Sequence, residues 1–154
     1  MTQTFEMLGI LLLVVFIVIC AVVNSLTPYR FADDGDPLTA RIALVEIEGE
    51  LTYGDEDHLE SKVRVVCEID DRAQFVRALK GLKNSHALFG DPAYLVACGR
   101  AIMLTYPSGN IELIYVNGTT YIRDGDMVVY SHMFDTEDFD RLWEAWASAA
   151  PSAP

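Results

Sequence analysis

The stretch Leu8–Val23, LGILLLVVFIVICAVV, constrains this chain more than any other. It holds no charge and no proline, and its Leu, Ile, Val and Phe leave no polar face. A half-buried helix of a water-soluble domain keeps one polar face; a helix surrounded by lipid does not. Extended to Phe5–Leu26, it would be roughly 33 Å long as a helix, against a hydrocarbon core of about 30 Å. Residues 1–26 therefore read as a transmembrane anchor in contact with lipid through residues 5–26. A cleaved signal peptide is the rival. Against it stand a first segment, Met1–Glu6, without Lys or Arg, an apolar run longer than a usual signal core, and no clear small-x-small cleavage site. Arg30 and Arg41 follow the helix, which the positive-inside rule counts toward the cytoplasm. A short N-terminus, one anchor and one globular domain is also the plan of an exported domain, and the reading leans outward.

Of the 154 residues, about 128 remain after the anchor, enough for one domain with one core. All 11 basic and 22 of the 23 acidic residues lie there, leaving that part at −11. Such a surface is repelled by nucleic-acid phosphate, so no nucleic-acid partner is expected. Cys67 and Cys98 are the one pair outside the anchor; they read as two buried thiols, with a bridge open on an oxidising side.

Residues 27–39, TPYRFADDGDPLT, read as a polar linker. From Ala40 to Leu51 apolar and acidic residues alternate, with Ala43, Val45, Ile47 and Leu51 on one face and Glu46, Glu48 and Glu50 on the other. Ser61–Ile69 alternates likewise, with Val63, Val65, Cys67 and Ile69 inward, so the two form a hairpin with Lys62 and Arg64 facing the glutamates. Asp70 and Asp71 cap a helix reaching about Lys83, with a stripe of Phe75, Ala78, Leu79 and Leu82 and a basic side of Arg72, Arg77, Lys80 and Lys83. Asn84–Pro92 reads as a loop. Next come short β-rich runs separated by Pro107–Asn110, Asn117-Gly118 and Asp124-Gly125. These spell a four-stranded antiparallel meander, with Tyr94–Cys98 as an added strand or a continuation across a bulge at Gly99. Asp135 caps a last helix to Ala147, whose Phe139, Leu142, Trp143 and Trp146 cover the sheet. Residues 148–154 read as a disordered tail. The fold class is α+β: anchor, hairpin, helix, meander and C-terminal helix, with 40–147 as the globular domain.

Few residues suggest chemistry. The loop Thr52–Glu60 gathers Asp55, Asp57 and His58, oxygen and nitrogen donors able to hold a hard cation loosely. His58, His86 and His132 sit in no Ser-centred elbow, HExxH helix, CxxC pair or glycine-rich phosphate loop, so neither catalysis nor a cofactor is expected. His132 stands near Asp135, within reach of a local turn contact. Tyr106, Tyr115, Tyr121 and Tyr130, all in the meander, are the aromatic candidates for a recognition surface on the sheet face that the helices leave open.

The segments DDRAQFVRALKGL, AIMLTYPSGNIELIYVNGTTYI and FDTEDFDRLWEAW cover about half of the chain. They resemble small membrane-anchored domains of unknown function in Gram-positive bacteria, which run capped helix, meander with NG-type turns and terminal aromatic helix. The glutamate-rich hairpin Ala40–Ile69 departs from that pattern. The resemblance implies an extracytoplasmic anchored domain. The expectation is a non-catalytic binding domain at the cell surface whose partner is a protein or envelope component. Alternatives are a cytoplasm-facing subunit of a membrane complex and a metal-dependent function at the acidic loop.

Overall fold

The structure, a computed structural model, describes residues 2–25, 28–52, 54–55, 58–85 and 97–149. It is α+β, with an N-terminal apolar helix, an antiparallel sheet and a C-terminal helix. Helix α1 spans Thr2–Ser25, about 36 Å at the usual rise. Its window Glu6–Val23 has a mean hydropathy of 3.0 and none of it is buried by the rest of the chain. That is the length and composition of a membrane span, a test that a signal sequence also passes.

The sheet is larger than the expected meander. Strand β1 (Arg41–Leu51) pairs with β2 (Val63–Glu68) on one side and with β4 (Ala97–Thr105) on the other. Hairpin and meander thereby merge into six strands, in the order β2-β1-β4-β5-β6-β7, where β5 is Ile111–Tyr115, β6 Gly118–Arg123 and β7 Asp126–Ser131. Helix α3 (Arg72–Lys80) is capped by Asp71, which accepts from the Gln74 N–H at 3.0 Å, and it buries Phe75, Val76 and Leu79. Helix α4 (Thr136–Ala149) is capped by Asp135 through the Asp138 N–H and buries Phe139 and Trp143. It runs through two residues of the expected tail; the other five lie outside the described residues. Three short elements had no clear sequence signal: α2 (Leu59–Lys62) in the acidic loop, and β3 (Asn84–Ser85) paired with β8 (Met133–Phe134).

Both faces of the sheet are dry, which the alternation in β1 did not announce. On one face Ile42, Leu44, Ile102, Leu104 and Ile114 pack under α3 and α4. On the other, Ala43, Val45, Ala101, Leu113 and Tyr115 form a second cluster, to which α2 adds Leu59, the one helical member among the described residues. Val45, Ala101 and Leu113 on this face are at 0% exposure. Strands β1 and β4, which carry Val45 and Ala101, are irregular. The β1–β2 register shifts between Leu44 and Val45, and the β1–β4 register shifts between Ile47 and Leu51, next to Gly49 (φ 75°) and Gly99 (φ 72°). The irregularity expected at Gly99 is there; residues 94–96 lie outside the described residues.

The β1–β2 bulge also splits the face expected for β2. Val63 joins the second cluster, Cys67 and Ile69 the first, and Val65 is left 48% exposed. The extra residue reverses the parity of everything beyond it. Glu46 does face Arg64 and pairs with it, and Arg41 pairs with Glu68. These are exposed pairs, worth at most about 1 kcal/mol each. Lys62 turns away from the glutamate row, toward the Glu50 carbonyl at 2.9 Å and the Asp55 carboxylate at 2.8 Å.

Of the turns, Asp124-Gly125 takes positive φ at both positions (52° and 84°), as a two-residue hairpin turn requires. The preceding turn is displaced by one residue. Tyr115 pairs with Gly118, so Val116 and Asn117 form the turn and Gly118 begins β6. Glycine is needed there for space: a Cβ would stand 3.0 Å from both the Tyr115 ring and the Tyr130 carbonyl oxygen. Gly118→Ala should therefore cost about 1–3 kcal/mol through overpacking. Urea denaturation of the detergent-solubilised full chain measures it, and an unchanged midpoint contradicts it.

Candidate functional site

The residues between α1 and the sheet do not form a free spacer. Tyr29 is 3% exposed and its ring meets Phe31, His132 and Phe134 with centroids 5.2, 5.2 and 5.5 Å apart. Its hydroxyl donates to Glu112 Oε1 at 2.7 Å. The Ala32 N–H donates to the same oxygen at 3.0 Å, and the Tyr106 hydroxyl to Oε2 at 2.8 Å. One residue after Ala32, Asp33 Oδ2 accepts from the Tyr121 hydroxyl at 2.7 Å and from Asn110 Nδ2 at 2.9 Å. Two carboxylates thus fasten the segment 29–33 across β5, β6 and the turn after β4.

Glu112 is fully buried. Desolvation pushes its carboxyl above the ordinary glutamate range, against the pull of the bonds from Tyr29, Ala32 and Tyr106. Tyr29 and Tyr106 are pushed up as well, by burial first and then by the nearby Glu112 charge. Asp33 moves the other way. Partial burial works against its charge, but the bonds from Tyr121, Asn110 and the Gly35 N–H prevail and hold it low. Tyr121 is pushed up to about 12, by desolvation and by its bond to Asp33.

The polar chain continues from Tyr29 to Thr119 Oγ1 at 2.7 Å and from there to His132 Nε2 at 2.8 Å. Its proton order follows from counting. Tyr29 has one proton, which an ionised Glu112 takes. The Tyr29–Thr119 contact must then be filled by the Thr119 proton, leaving Thr119 to accept from His132 Nε2–H. Protonation of Glu112 permits the reverse order, in which Nε2 accepts. The charge state of Glu112 and the proton position on His132 are therefore linked through two hydroxyls. Tyr29, Thr119 and His132 line a cleft of about 300 Å³, with Arg30 and Tyr130 at its exposed margin.

Of the four tyrosines expected on a recognition surface, only Tyr130 is there, at 46% exposure. Tyr106 and Tyr121 are buried on the helix side, committed to Glu112 and Asp33, and Tyr115 is buried in the second cluster with its hydroxyl 3.2 Å from Thr120. The face expected to lie open holds a second buried cluster, and the other is covered by residues 29–33 as well as by helices. In the acidic loop, Asp57 lies outside the described residues and His58 is exposed at the start of α2. Asp55 is committed internally. Its carboxylate accepts from Lys62 and from the Thr52 N–H, which hold it down at about 2. Among the described residues no three His, Cys, Asp or Glu gather as metal ligands. His86 lies outside the described residues, and His132 bonds Thr119 while Asp135 caps α4. Cys67 and Cys98 are unbridged thiols, Cys67 half-buried and Cys98 exposed, so only part of the buried-thiol expectation is met.

Sequence reasoning did not single out Glu112, Tyr29 or Thr119. A signal was present: in I-E-L-I-Y, Glu112 shares its face with Ile114, and apolar residues at both parities mark a strand covered on both sides. Comparisons with protein-family models, curated proteins and solved structures find no match.

The buried carboxyl gives a pH signature. A carboxyl raised in the folded state stabilises most below its unfolded value and loses that contribution as the pH rises. The native protein minus Glu112→Gln should therefore show an unfolding free energy that declines upward from about pH 4, where free glutamate titrates. Asp33, Asp55 and Glu68, all held low, give the opposite slope in both proteins and cancel in the difference. Urea denaturation across that range checks the sign; a rising difference contradicts it.

Proposed function

We propose that this chain is a single-pass membrane protein whose acidic α+β domain is a non-catalytic interaction module held at a fixed height on the bilayer, facing outward and engaging a protein or envelope component. The observation that carries this reading is the docking of residues 29–33 onto the sheet. Four residues after α1 ends, Tyr29 is already a core side chain bonded to Glu112. A domain that only needed tethering would be served by a flexible spacer; this one is oriented by its junction. The polar groups of the cleft support the absence of catalysis in the proposal, because Tyr29, Thr119 and Glu112 spend their hydrogen bonds on one another.

A second reading, a cytoplasm-facing subunit of a membrane complex, is favoured by two observations: Arg30 just after the helix, and two unbridged cysteines, one of them exposed. Cys98 separates the two. Membrane-impermeant maleimide should label it in intact cells, with the signal lost in Cys98→Ser; labelling only after lysis establishes the second reading instead.

The junction itself is open to test. Glu112→Ala leaves the buried Tyr29 and Tyr106 hydroxyls short of a partner, at about 1–3 kcal/mol for each. Limited proteolysis should then cut between residues 28 and 39 in the variant while the native junction resists. Equal resistance removes the oriented-junction reading.

A further inference from the structure

The surface around the exit of α1 differs from the rest of the domain. Helix α1 lies against β3, which pairs with β8, and β8 directly follows β7. The anchor, the end of β7 and the β3–β8 ladder are thus neighbours. Two exposed apolar side chains stand here, Tyr130 at 46% and Met133 at 59%. Each has a basic companion: Arg30 lines the same cleft as Tyr130, and Lys83 lines the adjoining one with Met133. Lys80 stands 5.6 Å from the centre of the Phe31 ring, on the same junction segment. Val128, 43% exposed, shares a face of β7 with Tyr130. Asp135 also lines the second cleft, but its carboxylate caps α4. The opposite end of β7 carries Asp124 and Asp126 at the turn, with Arg123 paired to Asp124. At about 3.3 Å per residue the two ends of the strand are roughly 17 Å apart. In a domain of net −11, Arg30, Lys80, Lys83, Tyr130 and Met133 gather at the end next to α1, while Val128 lies midway along β7.

We propose that this end of the domain rests in the headgroup layer of the bilayer that α1 enters, with Arg30 and Lys83 against lipid phosphates and Tyr130 and Met133 at the edge of the acyl region. The inference rests on the reading of α1 as a membrane anchor and deepens it. Tyrosine, arginine and lysine each combine an apolar body with a polar tip, which suits them to this depth. The occupant is the bilayer because the junction leaves little else. Residues 29–33 are fastened to the sheet and Tyr29 follows the end of α1 by four residues, so a protein partner on this face would have to fit beside α1. The acidic remainder of the domain is repelled by anionic lipid, which keeps the contact to this end and orients the sheet.

The test uses the full chain in vesicles of phosphatidylcholine and phosphatidylglycerol. Cys20, Cys67 and Cys98 are replaced by Ser, and a single labelled cysteine is introduced by Met133→Cys, Tyr130→Cys, Asp124→Cys or Val14→Cys. Lipids carrying a nitroxide at the headgroup should quench the label at 133 and 130 and spare the label at 124. Lipids carrying it in the acyl chain should quench the label at 14. Arg30→Gln combined with Lys83→Gln should reduce headgroup quenching at 133 while the denaturation midpoint stays unchanged, since both side chains are exposed. A label at 133 quenched no more than at 124, with the label at 14 quenched, overturns the inference and leaves the anchor standing. No quenching at 14 overturns both. Shielding of 133 from aqueous iodide without lipid quenching overturns the inference in favour of a protein or a second copy on this face.

Discussion

The carboxylate of Glu112 sits where burial costs it most, and it is retained because three donors from two distant parts of the chain converge on it. Tyr29 and Ala32 come from the junction, Tyr106 from the end of the strand that precedes it in the meander. A buried carboxylate with fewer partners would destabilise the core by several kcal/mol. With these partners it organises what surrounds it: the path of residues 29–33, the hydroxyl order through Thr119 to His132, and the angle at which the chain leaves the sheet toward α1.

Apolar contacts carry that order further. Tyr29 meets Phe134, and Phe134 stacks on Phe139 of α4 with ring centres 5.6 Å apart. From the other end of the helix pair, Trp146 meets Phe75 of α3 edge-on at 5.3 Å, and the Trp143 indole donates to the Ala101 carbonyl. Arg100 lies over Trp143 and pairs with Asp140 and Glu144, sealing α4 against β4. Junction, sheet and helices therefore share one packed layer, and a second buried cluster lies on the other face of the sheet.

This architecture shapes the functional reading. Both sheet faces are used internally, so the surface left for contacts is that of edges, loops and the end of the domain next to α1. In the proposed reading that end meets the lipid, and the domain keeps one side toward its surroundings.

Local sequence determined what depends on near neighbours. The apolar helix, the Asp71 and Asp135 caps, the stripes of α3 and α4, the hairpin with Glu46 facing Arg64, and the Asp124-Gly125 turn were all legible, because periodicity, capping and turn chemistry act within a few residues. The merger of hairpin and meander, the burial of Tyr115 in a second cluster, the one-residue shift that turns Cys67 to the face opposite Val63, and the convergence of Tyr29 and Glu112 across 83 residues were decided by the tertiary structure alone. Alternation in a strand tells which residues share a face, but which faces are covered, and by what, depends on contacts between parts of the chain that carry no local record of each other.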